Sequence, residues 1–161
     1  MRRRTCASRR CAPASRGWDA ILYTHAHADH CHGIDDARAF NFTSGGAVPV
    51  YGDERTLQEV AAKFSYAFHK PAPVGGAWFR PAMAPNVIAA DAQVEIAGLP
   101  FQTILQHHGK GRSLGYRLGN FAYSTDVDNL PERSLQLLEK LDVWLVDCLQ
   151  HTPAVSHALW L

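Results

Sequence analysis

The stretch Thr24-His-Ala-His-Ala-Asp-His-Cys-His-Gly33 is the most informative part of the sequence. An apolar run precedes it and predicts a buried strand. If that strand continues to His27, the side chains of His25 and His27 lie on one face, because strand side chains alternate. After the chain turns, Asp29 and His30 face a neighbouring position. Imidazole and carboxylate groups together suit Zn²⁺, Mn²⁺ or iron, so the stretch predicts a metal site.

A solvated polar turn is the alternative interpretation of this stretch. It explains one or two histidines poorly, and four potential ligands within six positions very poorly. His32 lies outside the ligand pattern, and we expect it to have a supporting role. We expect Cys31 to be a small packing residue rather than a ligand.

Composition predicts one folded domain without a membrane span. The 161 residues are 47% hydrophobic and 19% charged, which excludes a disordered chain. No apolar run approaches the roughly 18 residues that cross a bilayer. Four scattered cysteines without a CxxC pair favour reduced thiols and a cytoplasmic protein.

Residues 1–17 hold six arginines and no acidic residue. Such a composition is similar to that of organellar transit peptides, but we favour a disordered Arg-rich leader. Without it, 10 basic residues face 15 acidic ones, a net charge of −5. This mildly acidic body argues against a nucleic-acid partner.

Hydrophobic periodicity beyond the histidines predicts a mixed α/β fold. We predict buried strands at 19–24 and 142–147 and a further strand at 48–51. Helices are predicted at 34–40, 53–64 and 131–141, and a long loop at 65–86. Two hairpins are predicted, one formed by 94–96 and 101–105 with a loose turn, and one formed by 114–118 and 121–124.

His25-Ala-His-Ala-Asp-His30 resembles the HxHxDH motif of the metallo-β-lactamase fold hydrolases. The longer run 24–38 resembles the branch of the phosphoribosyl cyclic phosphodiesterases (PhnP-like) and, more distantly, tRNA 3′ processing nucleases. This resemblance implies a four-layer αββα sandwich over residues 18–161, with two divalent metal ions, Zn²⁺ or else Mn²⁺. Family members begin with extra strands and a glycine-rich segment, which we do not find before Trp18. We therefore expect an N-terminally incomplete domain, a state that favours pairing into a homodimer.

The resemblance also implies the remaining metal ligands. His108, with His107 as the alternative, matches the third family motif, and Asp126 matches the aspartate that bridges both metals. His157 matches the late histidine, with His151 as its competitor. The implied ligands are His25, His27 and His108 for one metal, Asp29, His30 and His157 for the other, and Asp126 between them.

The implied activity is that of a phosphodiesterase acting on a small, cyclic phosphate ester through a metal-bridging hydroxide. Asp29 would orient the nucleophile, and His151 is the candidate general acid, although an ordinary surface histidine is the alternative. Lys110, Arg112 and Ser113 are candidate phosphate-binding residues, or else a solvated basic loop. A thioester or lactam hydrolase shares these ligands, and a truncated, non-catalytic remnant that binds metal or a partner chain is the competing hypothesis.

Overall fold

The computed structural model describes residues 17–69 and 79–147. It divides the chain into two compact units, Met1–Val87 (unit 1) and Ile88–Leu161 (unit 2). The predicted leader lies outside the described residues, except for Gly17. Within the described residues, no helix combines the length and the apolar character needed to cross a membrane.

Unit 1 contains a three-stranded parallel sheet with the strand order β1-β2-β3. The strands are β1 (Ile21–Leu22), β2 (Val48–Gly52) and β3 (Met83–Val87). The helical segments are α1 (Ala28–Cys31), a 3-10 helix (His32–Ala37), α2 (Arg38–Ser44), α3 (Glu54–Lys63) and α4 (Ser65–Phe68).

The core of unit 1 follows from the periodicity of its elements. Val48 and Val50 alternate along β2 and are both fully buried. Leu57 and Val60, three residues apart on α3, are buried against the same core. Asp53 caps this helix, since its Oδ1 accepts a hydrogen bond of 2.7 Å from the main-chain N–H of Thr56. The helix predicted at 53–64 is confirmed.

Unit 2 contains a five-stranded sheet with the strand order β4-β5-β6-β7-β8. Its elements are β4 (Gln93–Ile96), β5 (Leu99–His108), β6 (Gly111–Leu118), β7 (Phe121–Ser124), α5 (Glu132–Leu137) and β8 (Val143–Val146). Strands β4 to β7 are antiparallel neighbours, whereas β8 is parallel to β7. Both predicted hairpins are confirmed, as is a strand within 142–147.

Three details of the predicted elements are wrong. The predicted loop at 65–86 contains α4 and most of β3, because Pro85 is tolerated in a strand at the edge of a sheet. The turn between β4 and β5 is tight: Ala97 and Gly98 have φ angles of 53° and 77°, the signs that a two-residue type I′ turn requires. Strand β8 is not buried, since Val143 and Leu145 are each 55% exposed.

Candidate metal-binding residues

The histidine stretch of unit 1 begins after β1 and continues through α1 into the 3-10 helix. Strand β1 ends at Leu22, within the predicted strand at 19–24, and does not continue to His27, so strand alternation does not bring His25 and His27 together. The backbone of His27 is nevertheless extended, with φ −66° and ψ 155°, and His27 is the N-cap of α1. The ring centroid of His25 lies 4.5 Å from that of His27 and 4.3 Å from that of His30. Three imidazoles therefore gather around the start of α1.

Asp29 adds a carboxylate to this group. Its Oδ2 lies 3.3 Å from Nε2 of His30. Desolvation tends to raise the pKa of Asp29, but a hydrogen bond to its own main-chain N–H and the nearby histidine rings, His30 first, lower it below its usual value. The carboxylate is ionised at neutral pH and is available as an acceptor or a metal ligand.

Hydrogen bonds from two side chains hold the backbone of the loop that carries these rings. The Cys31 thiol donates to the main-chain oxygen of His27 at 3.0 Å, and the side chain of Lys63 donates to that of Ala26. Cys31 is 2% exposed, which confirms the predicted packing role, and burial raises the pKa of its thiol. The exposed ring of His32 makes an edge contact with Phe64, with centroids 5.6 Å apart.

Unit 2 brings a second pair of donor side chains together. His108 ends β5, and Asp126 follows β7. The Nε2 atom of His108 lies 3.4 Å from Oδ2 of Asp126, and the two residues are 6% and 5% exposed. His107, the alternative ligand, is exposed and pairs through its backbone with Asn129. Of the two neighbouring histidines, His108 is therefore the one beside Asp126.

The candidate phosphate-binding residues of unit 2 have different surroundings. Lys110 is exposed in the turn between β5 and β6, and Arg112 is exposed on β6, opposite His107. Ser113 is only 1% exposed, and its hydroxyl lies 3.2 Å from Oε1 of the buried Gln106. His151 and His157 lie outside the described residues, so their predicted roles stay predictions.

Sequence reasoning missed Gln106 and Lys63. Gln106 is fully buried, two residues before His108 on β5, so strand alternation gave the available signal. No local signal singles out Lys63, because its contact with the histidine loop spans 37 residues of sequence.

The donor chemistry in each unit fits a divalent metal. Unit 1 offers three imidazoles and a carboxylate, and unit 2 offers an imidazole and a carboxylate. Nitrogen and carboxylate oxygen ligands suit Zn²⁺ and Mn²⁺. In both units the donors contact each other within the described structure.

Three comparisons with known proteins bear on this chain. A family model described as "Beta-lactamase superfamily domain" matches residues 2–159. A solved structure described as a new diphosphatase from the PhnP family is 34% identical, with a TM-score of 0.75, over 89% of this chain and 52% of that one. The metallo-β-lactamase fold protein YhfI from Bacillus subtilis is 15% identical, with a TM-score of 0.63, over 87% of this chain and 55% of that one.

A further relative is an octanoyltransferase from Porphyromonas gingivalis. It is 26% identical over 133 residues, which are 83% of this chain and 26% of the relative. The chain thus spans about half the length of the two solved structures and about a quarter of this relative.

These matches confirm the expected mixed α/β fold and the resemblance to PhnP-like proteins. The family model covers nearly the whole chain, and the histidine stretch that carries the resemblance lies within the matched residues. The chain belongs to the β-lactamase superfamily and has a metallo-β-lactamase fold.

Proposed function

We propose that this chain is a metal-dependent hydrolase that acts on small phosphate esters. The observation that carries the proposal is the gathering of His25, His27, Asp29 and His30 at the start of α1. The 34% identity with a structure described as a diphosphatase of the PhnP family supports phosphorus, rather than carbon, as the centre that is attacked.

We propose the set of metal ligands that the family resemblance implies. One metal would be held by His25, His27 and His108, and the other by Asp29, His30 and His157, with Asp126 shared between them. The 4.5 Å separation of the His25 and His27 rings and the 3.4 Å distance between His108 and Asp126 support this assignment. Zn²⁺ is the metal that the nitrogen-rich donor set favours, with Mn²⁺ as the second choice.

The residues of the chain have distinct roles in this proposal. When bound, a pair of divalent ions supplies Lewis-acid activation of the phosphoryl group and of water. The ionised carboxylate of Asp29 orients the attacking water by accepting one of its hydrogen bonds. Lys110 and Arg112, both exposed, contribute positive charge for the phosphoryl oxygens, and His151 donates the proton to the leaving group.

A panel of substrates tests this function. Protein loaded with Zn²⁺ or Mn²⁺ is assayed on bis(p-nitrophenyl) phosphate, a diphosphate, a thioester and a β-lactam. We expect hydrolysis of the phosphorus substrates and at least about 100-fold slower turnover by Asp126→Ala. Asp142→Ala is the matched control: this carboxylate is exposed in unit 2, where it accepts a hydrogen bond from Asn120, and its loss should leave turnover unchanged.

The other outcomes assign different functions. Turnover of the thioester or the lactam alone would refute the phosphate-ester proposal in favour of an acyl hydrolase. A folded, metal-loaded protein without activity on any of the four substrates would support the non-catalytic remnant.

A further inference from the structure

Buried polar side chains that hydrogen-bond to one another lie next to the donor pair of unit 2, His108 and Asp126. The amide Nε2 of Gln106 donates to Oγ of Ser124 at 2.6 Å. Its Oε1 lies 3.2 Å from the hydroxyl oxygen of Ser113 and is one of three acceptor oxygens that share the single proton of that hydroxyl. The indole N–H of Trp144 donates to Oγ of Ser124 at 3.0 Å. We call Gln106, Ser113 and Ser124 the amide–serine network.

The amide–serine network is fully enclosed. Gln106 has no exposed surface, and Ser113 and Ser124 are each 1% exposed. Groups buried this deeply favour a single arrangement, because any other leaves a polar atom without a hydrogen bond. The network therefore holds the ends of β5, β6 and β7 in one fixed relation.

The network reaches the backbone of Asp126 directly. The Ser113 hydroxyl lies 3.3 Å from the main-chain oxygen of Asp126 and 3.4 Å from that of Thr125. Asp126 has a φ of 51°, in the left-handed region that residues with a Cβ rarely adopt. Such a backbone conformation persists where surrounding contacts impose it. The Ser113 hydroxyl is one of these contacts.

The network also fixes the strand that carries His108. Gln106 and His108 are two residues apart on β5, so their side chains lie on the same face of the sheet. Gln106 pairs with Ser113 across the β5–β6 ladder. Both members of the donor pair are thus tied to the same network, His108 through its own strand and Asp126 through its main-chain oxygen.

We propose that the amide–serine network is a positioning device that holds Asp126 and His108 in the arrangement required for metal binding. This inference rests on the proposed function, because it assumes that the two residues are ligands. In this proposal Ser113 positions a metal ligand and does not contact the phosphate, which agrees with its burial. Preorganised ligands bind a metal more tightly because less order is lost on binding.

The test compares two buried serines of unit 2. Ser113→Ala removes the hydroxyl that reaches Asp126. Ser134→Ala is the matched control: Ser134 is fully buried and donates to the main-chain oxygen of Leu105 at 2.7 Å, but it has no described contact with the donor pair. Zn²⁺ affinity is measured by competition with a chromogenic chelator, and the thermal stability of each metal-free variant is measured alongside.

We expect Ser113→Ala to weaken Zn²⁺ affinity by about tenfold, and Ser134→Ala to leave it within about twofold at a similar loss of metal-free stability. Ser113→Thr, which keeps the hydroxyl, should restore most of the affinity. Equal Zn²⁺ affinity of Ser113→Ala and the wild type would overturn the inference, as would equal losses in the two alanine variants.

Two further results keep this test decisive. If Ser113→Ala does not fold, Ser124→Ala takes its place: it removes the acceptor of Gln106 but leaves Ser113 present, and we expect a smaller loss of affinity in the same direction. Unchanged affinity there would also overturn the inference. A wild type that binds Zn²⁺ without hydrolysing the phosphorus substrates would refute the proposed function alone, whereas a wild type that binds no Zn²⁺ would overturn both the function and this inference.

Discussion

Replacing Gly115 by alanine should destabilise unit 2, because the added Cβ atom would clash with the side chain of Gln106. Gly115 lies on β6, opposite Ile104. A Cβ atom there would lie well inside van der Waals contact with Nε2 of Gln106, 3.0 Å from its Cδ and 3.2 Å from the main-chain oxygen of Tyr123. The Gln106 amide would have to move by about 1 Å to reach an ordinary contact distance.

That movement breaks the 2.6 Å hydrogen bond from Gln106 to Ser124, and both residues are buried. An unsatisfied buried polar group costs about 1–3 kcal/mol, and the added methyl group in a packed interior costs a similar amount. We expect the free energy of unfolding to fall by about 3 kcal/mol in total. For a chain of this length, this corresponds to a decrease in Tm of about 6–12 °C.

Urea unfolding of the metal-free protein, followed by tryptophan fluorescence, measures this loss. Gly111→Ala on the same strand is the control, because its Cβ would meet only the main-chain oxygen of His108, at an ordinary 3.5 Å. We expect the control to change stability by less than about 0.5 kcal/mol. Combining Gly115→Ala with Gln106→Ala should recover about 2 kcal/mol relative to the sum of the single variants. Additive losses, or a Gly115→Ala variant as stable as the control, would refute the reasoning.

Three other predictions concern unit 1. Asn41→Ala should cost about 3 kcal/mol in urea unfolding, because the buried amide donates at 2.8 and 2.9 Å and accepts at 3.0 Å from main-chain groups; a loss below about 1 kcal/mol would contradict this. Asp53→Ala should cost about 1 kcal/mol in the same assay, and Asp53→Ser should restore most of it, because α3 loses and regains its cap; equal losses would argue against capping. Partial burial and the 2.7 Å hydrogen bond to Asp35 raise the pKa of Tyr66 to about 12, so Asp35→Ala should move this titration toward 10 in ultraviolet absorbance. Since the folded pKa is the higher one, the Tyr66 contribution to stability is complete below pH 10 and lost between pH 10 and about 12, and an unchanged tyrosine titration in the variant would contradict the assignment.

The histidine stretch could be predicted because its information is local. His25, His27 and His30 lie within six residues, so their rings come together without contacts between distant parts of the sequence. The length of β1 could not be predicted in this way. Strand β1 can pair only where β2 lies beside it, and β2 ends at Gly52, one residue beyond the partner of Leu22. The chain therefore leaves the sheet before the histidines begin.

The amide–serine network could not be predicted from the local sequence. Ser113 follows Arg112 in a basic segment, which favoured a phosphate contact. Its burial depends on the register that sets it opposite Gln106, and on β7, which brings Ser124 to the same amide. Such registers result from pairing between strands that are distant in sequence, and no single segment specifies them.

The number of metal ions per chain tests the central claim most directly. The purified protein is loaded with Zn²⁺, freed of excess metal by gel filtration and analysed for zinc, together with Asp126→Ala and the Asp142→Ala control. The account predicts about two ions per chain in the wild type and the control, and a loss of both in Asp126→Ala, because both ions share this carboxylate in the proposed set of ligands. A folded wild type that retains no zinc, or an Asp126→Ala variant that retains both ions, would contradict it.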